Sequence, residues 1–238
     1  MNKLSKEQRK EARKKWFYDK RYEFLLISLI FILFESLFFP QEIADKFAGP
    51  ISLVLFMFSV INLFIRNSKP IRLLMTILSV LMLIPLASRF VLSDDPSNAL
   101  WPIFYAYFSV YFAIIFVEIL RQIFRSGEIT FNVILASFCD FLLVGVLGAF
   151  AFSTIDLAEP GSFQGINGEV FGNFDNYLYF SYITLTTIGF GDITPITPEA
   201  KKAAALFGVF GQFYSIIIVG ILISKYVTHS ELRKHNKH

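Results

Sequence analysis

The sequence predicts an all-α polytopic membrane protein, and three observations carry that prediction. Hydrophobic residues make up 55% of the 238-residue chain, which holds 29 Phe and only 17% charged residues. The apolar residues fall into long runs close to the ~20 residues that cross a bilayer as a helix. Lys and Arg gather on alternate connectors, as they do on the cytoplasmic side of membrane proteins. The runs lie at 24–39, 51–65, 71–92, 100–125, 130–153 and 199–227, which gives six transmembrane helices. A re-entrant half-helix and an extended polar strand complete the fold between the last two. A porin-like barrel is excluded, because its strands alternate apolar and polar residues instead of running apolar throughout.

Residues 1–23 form a basic cytoplasmic juxtamembrane segment. They carry Lys3, Lys6, Arg9, Lys10, Arg13, Lys14, Lys15, Lys20 and Arg21, interleaved with Trp16, Phe17, Tyr18 and Tyr22. Basic and aromatic residues beside a bilayer favour anionic lipid headgroups, so the net charge of +3 points to membrane lipids and not to nucleic acid. The basic stretch is too long, and lacks the small-residue site, for a cleavable leader. The first two runs are short and borrow flanking residues such as Tyr22 or Phe47.

The next basic connectors hold Arg66, Lys69 and Arg72, then Arg121 and Arg125, and the tail adds Lys225, Arg233, Lys234 and Lys237. The opposite connectors hold Glu42, Asp45, Asp94, Asp95, Asp156, Glu159, Glu169 and Asp175. Lys46, Lys201 and Lys202 are the exceptions on that side. This pattern places both termini in the cytoplasm of a multi-pass protein of the cell membrane. The one cysteine, Cys139, falls within the fifth run, so no intrachain disulfide can form, and it reads as a small buried residue.

The connector between the fifth and sixth runs is the longest. Its first part, "TIDLAEPGSFQGINGEVFGNFDN", reads as an outer loop. The stretch "FDNYLYFSYITLTT" is aromatic, apolar and too short to cross and return as a helix, with Asp175 or Asn176 placed to cap its start. It reads as a half-helix that enters from outside and stops partway. "TIGFGD" must then climb back as extended chain, and Thr197-Pro198-Glu199 supplies the cap, first-turn proline and early acid that open the sixth helix. Irregular backbone at membrane depth is tolerated only where protein or water covers it. A half-helix ending at the bilayer centre turns its negative dipole end toward a cation, and glycines let successive carbonyls face one axis.

"TLTTIGFGD", residues 184–192, resembles the potassium-channel filter signature, in which backbone carbonyls replace the hydration shell of the ion. The wider "YFSYITLTTIGFGDITP" is similar to the pore of the bacterial two-helix ion-channel family, and the resemblance covers roughly residues 130–230. It implies that Thr187, Ile188, Gly189 and Phe190 supply ion-facing carbonyls, with the Thr187 hydroxyl as the innermost ring. Thr186, Gly191 and Asp192 would support the filter, and K+ at the filter would be the only metal ion. Gly211 lies where the family often has a hinge glycine, close helix packing being its other reading. Gln212, Ser215, Val219 and Ile223 follow at helical spacing and face the cavity in this reading. One chain carries one filter, so four-fold carbonyl rings imply a homotetramer. Two positions depart from the pattern. Phe190 replaces the commoner Tyr, and Ile183 stands where some members carry an acid partnered with the filter aspartate, so Asp192 needs another partner, water or a neighbouring aromatic.

The resemblance divides the chain into a four-helix peripheral membrane domain at 24–126, a pore domain at 127–228 and a short cytoplasmic tail at 229–238. Six spans with the pore last resemble voltage-gated channels, whose fourth span bears regularly spaced arginines. Here "LWPIFYAYFSVYFAIIFVEILRQIF" has no basic residue before Arg121, so voltage has little charge to move. Four intramembrane ionisable groups are candidates for a sensor or a polar link: Asp140 and Glu35 near mid-membrane, Glu118 nearer the inner face and Arg89 nearer the outer. Each has the alternative of pairing inside the bundle.

The sequence thus points to a K+ channel that conducts passively and is not voltage-gated, needing no cofactor beyond the permeant ion. A weakly selective cation channel, or a non-conducting scaffold or regulatory subunit with a vestigial pore, are the alternatives. No nucleophile elbow, phosphate-binding Gly loop or metal-ligand spacing supports an enzyme.

Overall fold

The computed structural model describes residues 6–40, 43, 47–84, 101–127, 130–166, 170 and 173–235. They form eight helices and a two-stranded sheet: α1 (Lys6–Asp19), α2 (Arg21–Phe38), α3 (Gly49–Leu63), α4 (Lys69–Leu81), α5 (Trp101–Arg125), α6 (Phe131–Ala158), β1 (Phe163–Gln164), α7 (Phe174–Leu185), β2 (Thr194–Pro195) and α8 (Pro198–His235). The protein is an all-α polytopic membrane protein with a pore-type domain. Three helices are long and apolar enough to cross a bilayer by length and composition: Pro102–Arg125, Phe131–Ala158 and Pro198–Ile221. The shorter Gly49–Leu63 is likewise apolar.

The described residues divide into two compact units. One holds α1–α4 and Thr130–Cys139; the other holds α5, the rest of α6, the sheet, α7 and α8. This division differs from the sequence segmentation at 126, because the fourth apolar run, α5, groups with the pore-side elements.

In the first unit, α2 and α3 pack through Leu25, Leu29, Phe56, Val60 and Leu63, all fully buried. The spacing of three and four residues puts each set on one helix face. Ser59 donates to the Phe24 carbonyl across the pair at 3.1 Å. The joint between α1 and α2 is held by Asn62, which donates to the Phe17 carbonyl, and by Asn132, which donates to that of Asp19. Arg21 stacks over both Tyr18 and Tyr22. The basic segment is therefore helical, an element that hydropathy alone does not reveal.

In the second unit, α6 is the most enclosed of the long helices and α8 the least: 72% against 17% of the most apolar window is buried in the single chain. The helix α6 continues to Ala158, beyond the expected end at 153, so Asp156 lies in its last turn and not in a loop. The half-helix is α7, and its cap residue is Asn173 instead of Asp175 or Asn176; Asn176 donates to the Asn173 side chain. The start of α8 is as expected, with the Ala200 N–H donating to Thr197 Oγ1 at 3.3 Å.

Candidate functional site

The site is built where α7 ends. Two glycines of α6 let α7 approach closely: a Cβ on Gly145 would lie 2.1 Å from the Tyr182 ring, and one on Gly148 would lie 2.3 Å from Ser181 Oγ and from Phe207. The gap this leaves is closed by hydrogen bonds. Ser181 donates to the Gly145 carbonyl at 2.6 Å, and the Tyr182 hydroxyl donates to that of Leu142 at 2.8 Å. Phe152, Phe163, Phe180 and Phe207 fill the space toward the outer end with edge-on ring contacts.

From this anchored helix the chain leaves as irregular backbone. The N–H groups of Thr186, Thr187, Ile188 and Gly189 all point back to the end of α7, donating to the carbonyls of Tyr182, Thr184, Ile183 and again Ile183 at 2.9–3.2 Å. Thr187, Gly189 and Gly191 have φ of 60°, 55° and 81°, with the residues between them at ordinary φ. Alternation of hand sends successive peptide groups the same way, so with the N–H groups of 186–189 turned to α7 the carbonyls of that stretch lie on the opposite side. A left-handed φ costs a β-branched residue such as Thr187 more than it costs glycine. Residues 186–192 are all exposed in the single chain, Phe190 at 71% and Ile188 at 56%.

Beyond the glycine-rich segment, Asp192 lies beside the Tyr179 side chain. Ile183, which stands in place of an acid, is buried. The chain then pairs as β2 with β1, Thr194 opposite Gln164 and Pro195 opposite Phe163. Gly165, at φ +93°, is required by close approach, since a Cβ there would meet the Asp192 carbonyl oxygen at 2.2 Å.

On α8, Gly211, Tyr214 and Ile218 form the packed face. The Gly211 backbone lies against Leu185, where a Cβ would come within 2.3 Å of Leu185 Cδ1, and α8 is helical through it. In this conformation Gly211 is a packing glycine. Gln212, Val219 and Ile223 lie off that face and are exposed, while Ser215 is half-buried and donates to the Gly211 carbonyl.

Of the ionisable candidates, Asp140 is completely buried and accepts from the Tyr214 hydroxyl at 2.8 Å, which joins α6 to α8. Among the described residues its other oxygen has no hydrogen-bond partner. Glu118 is paired within its own helix, by Gln122 at 2.9 Å and Arg121 at 3.7 Å. Glu35 sits in the last turn of α2, where Ser52 donates to it at 3.0 Å. Arg89 lies outside the described residues. Among the described residues no three His, Cys, Asp or Glu gather into a metal site.

Residues 141–228 match the family model described as an ion channel. Within curated proteins, "Potassium voltage-gated channel subfamily KQT member 1" of Squalus acanthias is 31% identical over 98 residues, 41% of this chain and 15% of that protein. The Homo sapiens protein of the same name is 32% identical over 98 residues, 41% of this chain and 14% of its own length. The matched segment is thus a small part of these relatives, and the matches are to ion channels, not enzymes. No solved structure matches the fold significantly.

Proposed function

We propose that four copies of this chain surround a potassium-selective pore through which K+ passes down its gradient. The carrying observation is the backbone that follows α7, where the N–H groups of Thr187, Ile188 and Gly189 are spent on α7 and left-handed φ recurs at Thr187, Gly189 and Gly191. Carbonyls of Thr187, Ile188, Gly189 and Phe190 replace the hydration shell of the ion; Thr186, Gly191 and Asp192 hold them in place. Four-fold assembly is supported by α8, the least buried of the long apolar helices, with Leu206, Val209, Phe210, Phe213 and Ile216 each more than half exposed in the single chain. In the tetramer Gln212, Ser215, Val219 and Ile223 line the cavity, and a bend at Gly211 would have to break its contact with Leu185.

In the full reading the chain crosses the cell membrane six times, with both termini in the cytoplasm, and voltage does not gate it. The segmentation at 24–126 and 127–228 marks peripheral and pore portions. Membrane lipids with anionic headgroups meet the basic N-terminal region, where Lys15, Arg66 and Arg72 line a groove of about 380 Å³ together with Tyr18, Glu11 and Asp19. A second reading, a cation channel of relaxed selectivity, is favoured by Phe190, which brings no hydroxyl to brace the filter.

Ion flux from liposomes holding the purified protein tests both. Barium-sensitive flux of K+ without Na+ is expected. Equal flux of the two ions would favour relaxed selectivity, and a folded tetramer silent under every stimulus would favour a scaffold.

A further inference from the structure

Asp156 is a buried carboxylate, 6% exposed, in the last turn of α6. The C-terminal end of a helix carries partial negative charge, so a carboxylate there is disfavoured both by its neighbours and by loss of water. What offsets this is a pair of hydrogen bonds from two other elements. One oxygen accepts from the Ser162 N–H at 2.7 Å; the other accepts from the Tyr177 hydroxyl on α7. Both partners donate, and only a carboxylate offers two acceptor oxygens to two donors in this way.

Ser162 is itself fully buried and leads to the filter's far end. Its carbonyl accepts from the Ile196 N–H at 2.8 Å, and its hydroxyl accepts from Thr197 at 3.1 Å while donating to the Glu159 carbonyl. The next residues pair with Thr194 and Pro195, and Gly165 presses on the Asp192 carbonyl. One side chain therefore fixes the end of α6, the start of α7 and the strand by which the filter leaves. The filter's two ends are referred to the same carboxylate, at one end through α7 and at the other through Ser162.

We infer that Asp156 is a positioning residue for the filter: by holding α7 and the Ser162–Gln164 strand in register, it fixes the distance between filter ends and so sets the affinity for K+. Asp156 does not touch the ion. The inference rests on the pore reading of Thr187–Asp192.

The test is K+ binding to the purified full-length tetramer in detergent, followed by calorimetry from an N-methylglucamine background, with Na+ as the control titration. Calorimetry does not depend on an open gate. Asp156→Asn is expected to bind K+ about tenfold more weakly, the scale of part of one charge-assisted hydrogen bond. Tyr177→Phe, which keeps the Ser162 contact, is expected to weaken binding about threefold. Melting curves without K+ separate positioning from general support: a purely structural role lowers the melting temperature and leaves the K+ affinity alone. An unchanged affinity in a tetrameric Asp156→Asn protein overturns the inference and leaves the pore reading standing. If that variant does not assemble, Tyr177→Phe decides by the same criterion. A wild-type tetramer that binds K+ no better than Na+ overturns the pore reading, and this inference with it.

Discussion

At the scale of single residues, the irregular backbone of 186–192 was legible because its chemistry is local. Glycine at 189 and 191 reports directly on backbone shape, and adjacent threonines place hydroxyls beside carbonyls in the chain itself. The partners of its acids were not legible. Asp192 lies beside Tyr179, and Asp156 reaches Tyr177 over 21 positions, distances at which residue type carries no signal until the elements pack. Asp140 shows the same limit: its place inside an apolar run marked it, but Tyr214, 74 positions away, did not stand out. Tyr214→Phe leaves that buried carboxyl group without its partner. Loss of a hydrogen-bond partner to a buried polar group costs about 1–3 kcal/mol, so the variant protein is expected to melt below wild type by scanning fluorimetry. Asp140→Leu in the same background removes the orphaned polar group and is expected to recover part of the loss. Equal melting of wild type and Tyr214→Phe would show that the bond contributes nothing.

At the scale of elements, long apolar runs announced α5, α6 and α8, because a helix that crosses a bilayer must be apolar over most of its length. The half-helix α7 was equally legible from its brevity and aromatic content. What escaped was structure made by packing. Two-residue strands have no periodicity to read, so the pairing of β1 with β2 follows only from the fold, and the extension of α6 to Ala158 passes through Thr154 and Asp156, which break the apolar run. The glycines of α6 were unreadable too, since small residues in an apolar run have many uses. Their use here is to seat α7. Gly145→Ala would drive a methyl group into the Tyr182 ring and lift that residue from the Leu142 carbonyl. Overpacking of this kind costs about 1–3 kcal/mol. The variant is expected to melt below wild type, with Tyr182→Leu restoring part of the stability in the double variant. If Gly145→Ala alone melts like wild type, the contact between α6 and α7 has more slack than the geometry gives it.

At the scale of the whole molecule, the relation of α5 to the pore-side helices decides what the peripheral helices can do. Phe116 of α5 lies 6.0 Å, ring to ring, from Tyr214, and Leu120 joins the same cluster against Val144, Leu185 and Ile218. A movement of α5 would therefore reach α8 directly, through the residues beside the end of α7. In the proposed reading the membrane potential has no grip on that movement. One elementary charge crossing the field is worth about 2.3 kcal/mol per 100 mV, and α5 carries no Lys or Arg between Trp101 and Leu120. Its first basic residues, Arg121 and Arg125, lie in the last turns, and Arg121 is within 3.7 Å of Glu118, which cancels much of any charge displaced. In planar bilayers with equal K+ on both sides, open probability is expected to stay nearly constant between about −100 and +100 mV, because no charge of order one moves through the field. Replacing Val110 and Ala113 by Arg supplies the missing charge while leaving Phe116 in place, and a steep voltage dependence in that variant alone would show that α5 drives α8 once the field can act on it. A steep dependence already present in the wild type would place the gating charge on another element and remove α5 from the gating mechanism.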